Sequence, residues 1–234
     1  MNNAIITGAT KGMGRAIAIA FAKQGINLAV CSRNENDLEA FKKELLLVNP
    51  QIKVVTEVAD GSVEEQLVGF AAAAERQLGF IDIIVSSLGI FEPVSILDES
   101  ESAFNKQLNT NLMPAYHLYR FFGKKMIEKR EGHIFTICSV AALDPIPSAG
   151  SYSVTKFALL GLSKVMRAEM QPHQVKVTAV IPGSTLTNSW EGTTIDKNKF
   201  VLPEDIASAV VNIYNMSTGA NVDEIIIRPS TGQV

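Results

Sequence analysis

The chain has 234 residues, of which 47% are hydrophobic and 19% are charged, and its formal net charge is -3. Its length suits one large α/β domain, because no linker rich in Pro, Gly or Ser divides it. The weakly acidic charge argues against nucleic-acid binding, and no apolar run reaches the roughly 18 to 20 residues of a membrane span, so we expect neither partner and a cytoplasmic location.

The chain begins with a strand, a glycine-rich turn and a helix. The apolar residues 3–7 lead into GATKGMG and the helical pattern RAIAIAFAKQG. Gly8 permits a tight turn, Gly12 lets the backbone approach a phosphate, and Gly14 lets the helix pack closely on the strand. The spacing departs from Gly-x-Gly-x-x-Gly, and such a turn is also an ordinary way to begin a helix.

The second predicted strand, residues 27–31, is followed by Ser32 and Arg33. A dinucleotide fold that selects NAD carries an acidic residue there for the ribose 2′-hydroxyl. Here Arg33, with Lys11 of the glycine turn, can pair with a 2′-phosphate, so the sequence favours NADP over NAD. Two solvated surface cations are the alternative interpretation.

Strands and helices then alternate along the chain. The patterns predict strands at residues 52–57, 81–85, 133–138, 175–181 and 224–228, and helices at 34–48, 62–78, 100–127, 151–170 and from 203. Asp60 or Ser62 should cap the helix at 62–78, with Asp60 also able to contact adenine. Pro114 should kink or break its helix. The alternation predicts a doubly wound α/β fold, with a mostly parallel sheet of seven strands in the order 3-2-1-4-5-6-7 and helices on both faces.

This order bears on the two cysteines, Cys31 and Cys138. It places two strands between them, about 14 Å, whereas a disulfide needs Cα atoms within about 7 Å. We expect two reduced, buried thiols. The histidines at positions 117, 133 and 173 lack metal-ligand spacing, so we assign no metal site.

Residues 139–156, SVAALDPIPSAGSYSVTK, carry groups suited to proton transfer. Tyr152 and Lys156 lie on one face of a predicted helix, where the cation favours the phenolate. Ser139 ends a buried strand, at the edge where open α/β sheets bind ligands. Asn111 stands three residues before a helix-interior proline that frees backbone groups, which suggests a water or proton site, although a solvent-facing Asn fits equally.

The polar segment at about residues 184–202 follows the sixth strand on the ligand side. It lacks a long periodic pattern, which is typical of a mobile substrate lid. The sequence therefore predicts one nucleotide-binding domain, residues 1–234, with this lid.

Together, TGATKGMG, Asp60, Asn111, Ser139, Tyr152, Lys156 and PGSTLT stand in an order that resembles the short-chain dehydrogenase/reductase family over nearly the whole chain. The resemblance implies a Rossmann fold, a nicotinamide cofactor and an Asn-Ser-Tyr-Lys proton-transfer set. It also implies a homodimer or homotetramer built on the long helices that contain Asn111 and Tyr152. The apolar residues expected either at that interface or in the core are Tyr116, Phe121, Phe122, Leu159 and Leu162.

The resemblance also implies a role for each site residue. Tyr152 would donate a proton to the carbonyl oxygen as hydride arrives from the nicotinamide, and Ser139 would hold that oxygen. Lys156 would favour the phenolate and hold the nicotinamide ribose, Asn111 would position a water that links Lys156 to solvent, and Thr187 would hold the carboxamide. The cofactor-binding set so implied is Gly8, Thr10, Lys11, Gly12, Met13, Gly14, Ser32, Arg33, Asp60, Gly89, Tyr152, Lys156, Pro182, Gly183, Thr185 and Thr187.

One turn departs from the family's pattern. Where the family has Asn-Asn-Ala-Gly after the fourth strand, this chain has Ser86-Ser87-Leu88-Gly89. Cofactor binding should survive, because the turn acts largely through its backbone. The larger Leu88 is expected near the nicotinamide or its ribose.

The sequence thus predicts an NADP-dependent carbonyl reductase that runs in reverse as an alcohol dehydrogenase. Its small-molecule substrate stays open among a 3-oxoacyl thioester, a simple ketone or aldehyde, and a 3-hydroxy acid. A nucleotide-sensing or scaffold protein without turnover is the alternative, against which the intact catalytic set argues. One basic helix end suits either an acidic acyl carrier protein or plain solvation, and it consists of Lys124, Lys125, Lys129 and Arg130.

Overall fold

The computed structural model describes residues 1–233, so Val234, the last residue of the predicted domain, lies outside the described part. Its centre is a seven-stranded sheet in which every neighbouring pair is parallel. The strand order β3-β2-β1-β4-β5-β6-β7 confirms the predicted order. The strands are β1 (Asn3–Thr7), β2 (Asn27–Ser32), β3 (Val54–Val58), β4 (Ile83–Ser86), β5 (His133–Ile137), β6 (Lys176–Pro182) and β7 (Glu224–Ile227).

Helices cover both faces of the sheet. They are α1 (Gly12–Lys23), α2 (Glu35–Val48), α3 (Glu64–Leu78), α4 (Ala103–Asn111), α5 (Met113–Lys129), α6 (Gly150–Met170) and α7 (Pro203–Tyr214). Apolar side chains of α1, α2 and α7 form the core on one face, and those of α3, α5 and α6 form the core on the other. Among residues 1–233, no helix has the length and apolar character needed to cross a membrane.

The central strand β1 shows why the strands are continuously apolar. Ile5 and Ile6 are neighbours in the chain and both are fully buried, yet they belong to the cores on opposite faces. Successive side chains of a strand point to opposite faces. A parallel sheet with helices on both faces therefore needs apolar residues at every position of its central strands.

Two expectations about helix ends had different outcomes. The long helix predicted at 100–127 is broken between Asn111 and Met113, with Pro114 in the first turn of α5. The predicted cap of α3 is wrong, because α3 begins at Glu64 after Val63, without a side-chain cap. Asp60 instead accepts hydrogen bonds from the Ser62 amide (2.9 Å) and hydroxyl (2.6 Å), in a turn that precedes the helix.

The structure also separates core from surface where the sequence left the choice open. Phe122 and Leu159 are 2% and 1% exposed and belong to the core, whereas Tyr116 is 36% exposed. Phe121 and Leu162 are partly buried against the core. The two cysteines are free and buried. Cys31 lies on β2 and Cys138 directly follows β5, so β1 and β4 separate them as predicted.

His133 at the start of β5 makes stability sensitive to acid. Its Nε2 lies 2.8 Å from Thr178 Oγ1 and its ring stacks on Phe135. Burial, together with the charge of Lys176, lowers the pKa of His133 to about 3. Below about pH 6.5 the unfolded chain binds a proton at this residue that the native state does not bind.

We therefore predict that the free energy of unfolding falls as the pH drops from about 6.5 toward 3, and that His133→Asn makes this fall shallower. Denaturant unfolding of both proteins across this range measures the effect. Parallel curves for the two proteins would contradict the prediction.

Candidate active site

A cleft of about 630 Å³ runs across the carboxyl ends of β1 to β5, the edge at which open α/β sheets bind ligands. One end of the cleft lies at the turns after β2 and β3, and the other lies at the beginning of α6. The predicted site residues that line it are Gly8, Thr10, Lys11, Gly12, Met13, Ser32, Arg33, Asp60, Gly89, Tyr152, Lys156 and Thr187.

The glycine turn has the geometry of an anion site. Gly8 and Gly12 have φ values of 65° and 54°, in the left-handed region that favours glycine. A side chain on Gly14 would collide with the Gly8 carbonyl group, so helix and turn require this glycine to pack. Helix α1 begins at Gly12 without a side-chain cap. Its first N–H groups are thus available to a phosphate at the positive end of the helix.

Arg33 lies beside this turn at the end of β2. Its Nη1 is 3.9 Å from Asp60 Oδ2, and its side chain is 81% exposed. Partial burial acts to raise the pKa of Asp60, but hydrogen bonds from Ser62 and the charge of Arg33 hold that pKa below its ordinary value. An ion pair this exposed is weak, so the guanidinium can turn toward a ligand phosphate.

Tyr152 and Lys156, the predicted catalytic pair, both line the end of the cleft at the beginning of α6. Lys156 is only 4% exposed, and its Nζ donates a hydrogen bond to the Ile137 carbonyl oxygen at 3.1 Å. The same Nζ lies 5.7 Å from the centroid of the Tyr152 ring. The helical spacing therefore brings the two groups to one face, as the sequence predicted.

Asn111 fastens the segment after β4 to this end of the cleft. Its Oδ1 accepts a hydrogen bond from the Ile90 amide at 2.7 Å, and its Nδ2 donates to the Ile90 carbonyl at 3.1 Å and to Thr155 Oγ1 at 3.0 Å. A Cβ on Gly89 would lie 3.4 Å from Asn111 Oδ1 and 3.5 Å from Lys156 Nζ. Gly89 therefore leaves open a small space on which the Asn and Lys side chains converge.

Ser139 begins a 3₁₀ turn at the end of β5. It is 9% exposed, and its Oγ accepts a hydrogen bond from the Ala141 amide at 3.2 Å. Its neighbour Cys138 lines the cleft. The predicted residues placed outside the lining are Gly14, Asn111, Ser139, Pro182, Gly183 and Thr185.

The expectation that Leu88, in the turn after β4, lies near the nicotinamide or its ribose stays a prediction, and the structure shows which way its side chain extends. A Cβ on Gly61 would lie 3.0 Å from Leu88 Cδ2, so the Leu88 side chain reaches toward the turn after β3. Because β3 and β5 lie on opposite sides of β4, this direction leads away from the side where Lys156 contacts β5. The backbone of the turn is held by Thr7 Oγ1, which accepts from the amides of Ser87 and Leu88 at 3.1 and 3.3 Å.

The segment 184–202 crosses toward the glycine turn. A Cβ on Gly12 would lie 3.3 Å from Thr187 Cγ2. The two ends of the segment are joined, because the Leu186 amide donates to the Val201 carbonyl at 2.9 Å and the Val201 amide donates to the Ser184 carbonyl at 3.0 Å. This pairing leaves the residues between them as a loop over the cleft.

The cleft-lining side chains that sequence reasoning missed include Phe91, Lys106 and Thr110. The Phe91 ring meets the Tyr152 ring edge to face, with centroids 4.9 Å apart and planes at 89°. Phe91 lies in a segment without periodicity, so no pattern marked it. Thr110 could have been found, since it directly precedes Asn111.

Comparisons with known proteins bear on the family of this chain. A sequence model of the family described as short chain dehydrogenase matches residues 2–198. The chain is 30% identical over 226 residues to an uncharacterized oxidoreductase of Staphylococcus epidermidis, with 97% of this chain and 96% of the relative covered. It is 33% identical over 239 residues to a sepiapterin reductase of Chlorobaculum tepidum, with 98% and 97% covered.

A solved structure shows the same similarity. It is an alcohol dehydrogenase from the archaeon Thermococcus sibiricus, complexed with 5-hydroxy-NADP. It matches with a TM-score of 0.88 and 27% identity, over 100% of this chain and 99% of the other. The match in fold and sequence over nearly full length shows that this chain belongs to the short-chain dehydrogenase/reductase family, as an NAD(P)-dependent dehydrogenase or reductase.

Proposed function

We propose that this protein is an NADP-dependent reductase that converts a carbonyl to an alcohol, with Tyr152 as the proton donor. One observation carries the proposal. Tyr152 and Lys156 stand at one end of a cleft, and the glycine turn and Arg33 stand at its other end. Asn111 and Lys156 both border the small space beside Gly89. A proton donor and a nucleotide-binding end thus occupy one cavity.

The residues of the cleft fit a dinucleotide phosphate. The uncapped start of α1 offers N–H groups to a pyrophosphate, and the cations of Lys11 and Arg33 suit a 2′-phosphate. Gly89 leaves the Lys156 ammonium accessible to a ribose hydroxyl. When bound, the cofactor supplies the hydride.

The chain's own residues would manage the proton. Tyr152 would donate its phenolic proton to the carbonyl oxygen, and Ser139 would hold that oxygen by a hydrogen bond. Lys156 would stabilise the phenolate left behind, and Asn111 would hold a water in the space beside Gly89 so that Tyr152 can be reprotonated. Thr187, on a substrate lid formed by residues 184–202 of this single domain, would hold the carboxamide.

The surface supports proposals about partners. Apolar side chains on α4, α5 and α6 stay exposed, and we propose that they pair copies of the chain in a homodimer or homotetramer. They are Phe104, Tyr116, Val154, Phe157 and Val165. The basic end of α5 is the surface that would contact an acyl carrier protein. It has less free charge than the sequence suggests, because Lys125 pairs with Glu75 at 2.7 Å.

The Tyr152→Phe variant tests the reaction. A general acid contributes about 10²- to 10⁴-fold to rate, so we predict a loss of that size in kcat/KM while NADPH affinity stays unchanged. NADPH consumption is measured with a ketone, an aldehyde and a 3-oxoacyl thioester. Tyr214→Phe, at the end of α7 and outside the cleft lining, is the control. Full activity of Tyr152→Phe would refute its role.

This assay also separates the reductase from a nucleotide-sensing or scaffold protein. A sensor would bind NADPH tightly and turn over none of the carbonyls, in wild type and variant alike. The intact set of Asn111, Ser139, Tyr152 and Lys156 favours turnover.

The cofactor preference is tested with Arg33→Gln. A hydrogen bond to a charged group contributes about 1.5 to 3 kcal/mol, so we predict that the Kd for NADPH rises about 10- to 100-fold while the Kd for NADH hardly changes. Quenching of protein fluorescence measures both. Arg76→Gln, an exposed change on α3, is the control. Equal weakening for both cofactors would contradict a 2′-phosphate contact.

The contact between Leu88 and Gly61 offers a further test of the nucleotide-binding end. Gly61→Val alone should weaken NADPH binding, because its side chain would displace Leu88 in the cleft wall. In a Leu88→Ala background, Gly61→Val should be tolerated. It should also restore part of the NADPH affinity that Leu88→Ala alone loses, because the new side chain fills the space that Leu88 leaves. Kd values of the four proteins in this double-mutant cycle measure the coupling. Additive effects would show that the two positions are independent.

A further inference from the structure

Gln107 in the middle of α4 is fully buried, at 0% exposure. Neither its Nε2 nor its Oε1 has a hydrogen-bond partner within residues 1–233. A buried amide is costly when it is unpaired, and such groups are rare in native proteins. The unpaired carboxamide of Gln107 therefore indicates a hydrogen-bond partner that residues 1–233 do not supply.

Glu99, in the segment before α4, has a similar unpaired atom. Its Oε1 accepts a hydrogen bond from Ser151 Oγ at 2.6 Å. Its other oxygen, Oε2, is buried and has no partner within the same part of the chain. The carboxyl group is thus fixed at the beginning of α6 with one acceptor left over.

Two hydrogen bonds place these groups along the contact between α4 and α6, which we call the α4–α6 seam. Glu99 bonds to Ser151, and farther along both segments Asn111 bonds to Thr155 at 3.0 Å. Ser151 lies one turn before Thr155, and Gln107 lies one turn before Asn111. If both segments run in the same direction, as these two bonds indicate, helical spacing puts Gln107 near the level of Ser151 and Glu99.

We propose that the α4–α6 seam contains an internal water site that bridges Glu99 and Gln107. A buried water needs two to four polar partners. Here it would accept a hydrogen bond from Gln107 Nε2 and donate its two protons to Gln107 Oε1 and Glu99 Oε2. All three unpaired atoms are then satisfied.

The proposed water site lies near Tyr152, the proton donor of the proposed function. Any catalytic role of the water site therefore rests on that function. Thr155 Oγ1 donates to the Tyr152 carbonyl at 2.8 Å, and Ser151 directly precedes Tyr152. Glu99 belongs to the same irregular segment as Phe91, whose ring meets that of Tyr152. The bridge would thus connect the segment that carries Phe91 to the start of α6, which carries Tyr152, and Gln107 would be a positioning residue for Tyr152.

Gln107→Leu tests the water site without any need for turnover. The two side chains have similar size, so if Gln107 is truly unpaired, removing its polar atoms raises the Tm. With the bridge in place, the variant instead leaves Glu99 Oε2 and the water short of partners, and we expect the Tm to fall by about 3 °C or more. Gln77→Leu, an exposed change on α3, is the control and should leave the Tm unchanged.

A crystal structure of the protein decides the same point directly. A water within hydrogen-bond distance of Glu99 Oε2 and the Gln107 carboxamide supports the proposal. A direct bond between the two side chains with no water between them overturns it, as does a raised Tm of Gln107→Leu.

Kinetics test the positioning role. We expect Gln107→Leu to lower kcat about tenfold and to shift its pH profile, with the Kd for NADPH unchanged. Gln107→Asn, which keeps both polar atoms on a side chain one methylene shorter, should fall between. Unchanged kcat and pH profile in an active enzyme would refute the positioning role. If the wild type itself turns over no carbonyl, the proposed function fails, while the Tm and the crystal structure still decide the water site.

Discussion

The side chain of Asn111 is the constraint on which the end of the cleft near Tyr152 and Lys156 depends. Its two polar atoms make three hydrogen bonds, two to the Ile90 backbone and one to Thr155. These bonds join three pieces of chain that are far apart in sequence: the segment after β4, the end of α4, and α6. Helix α4 ends at Asn111, and the break before Pro114 follows directly.

Gly89 keeps a space open between Asn111 and Lys156. Gly89 lies against both Asn111 Oδ1 and Lys156 Nζ, so the smallest side chain would fill the gap between an acceptor and an ammonium. Lys156 is buried and bonded to the Ile137 carbonyl, which fixes its head group near the Tyr152 ring. Burial of a cation is tolerated here because a hydrogen bond compensates part of its lost hydration.

At the end of the cleft near β3, the chain differs from its family's pattern at Leu88, and a second residue makes room for this difference. Leu88 replaces a small residue, and Gly61 provides the room into which the larger side chain extends. The backbone of the turn is unaffected, since Thr7 still accepts from both of its amides. The substitution therefore changes the wall of the cleft near β3 and spares the position beside Lys156.

Much of this protein was determined by local patterns in its sequence. Continuous apolar runs and helical spacing predicted the strands and helices, and the four-residue spacing placed Tyr152 beside Lys156, because such periodicities act within a few turns of chain. The sheet order agrees with the doubly wound arrangement that alternating strands and helices adopt through right-handed crossovers. Only the tertiary structure decided the direction of Leu88, the contact of Phe91 with Tyr152 and the burial of Gln107. These depend on which distant segments meet, and residue spacing along the chain carries no information about that. The cap predicted for α3 failed for a similar reason, since Asp60 can bond either to a helix end or within its own turn, and the choice was set by the path of the chain leaving β3.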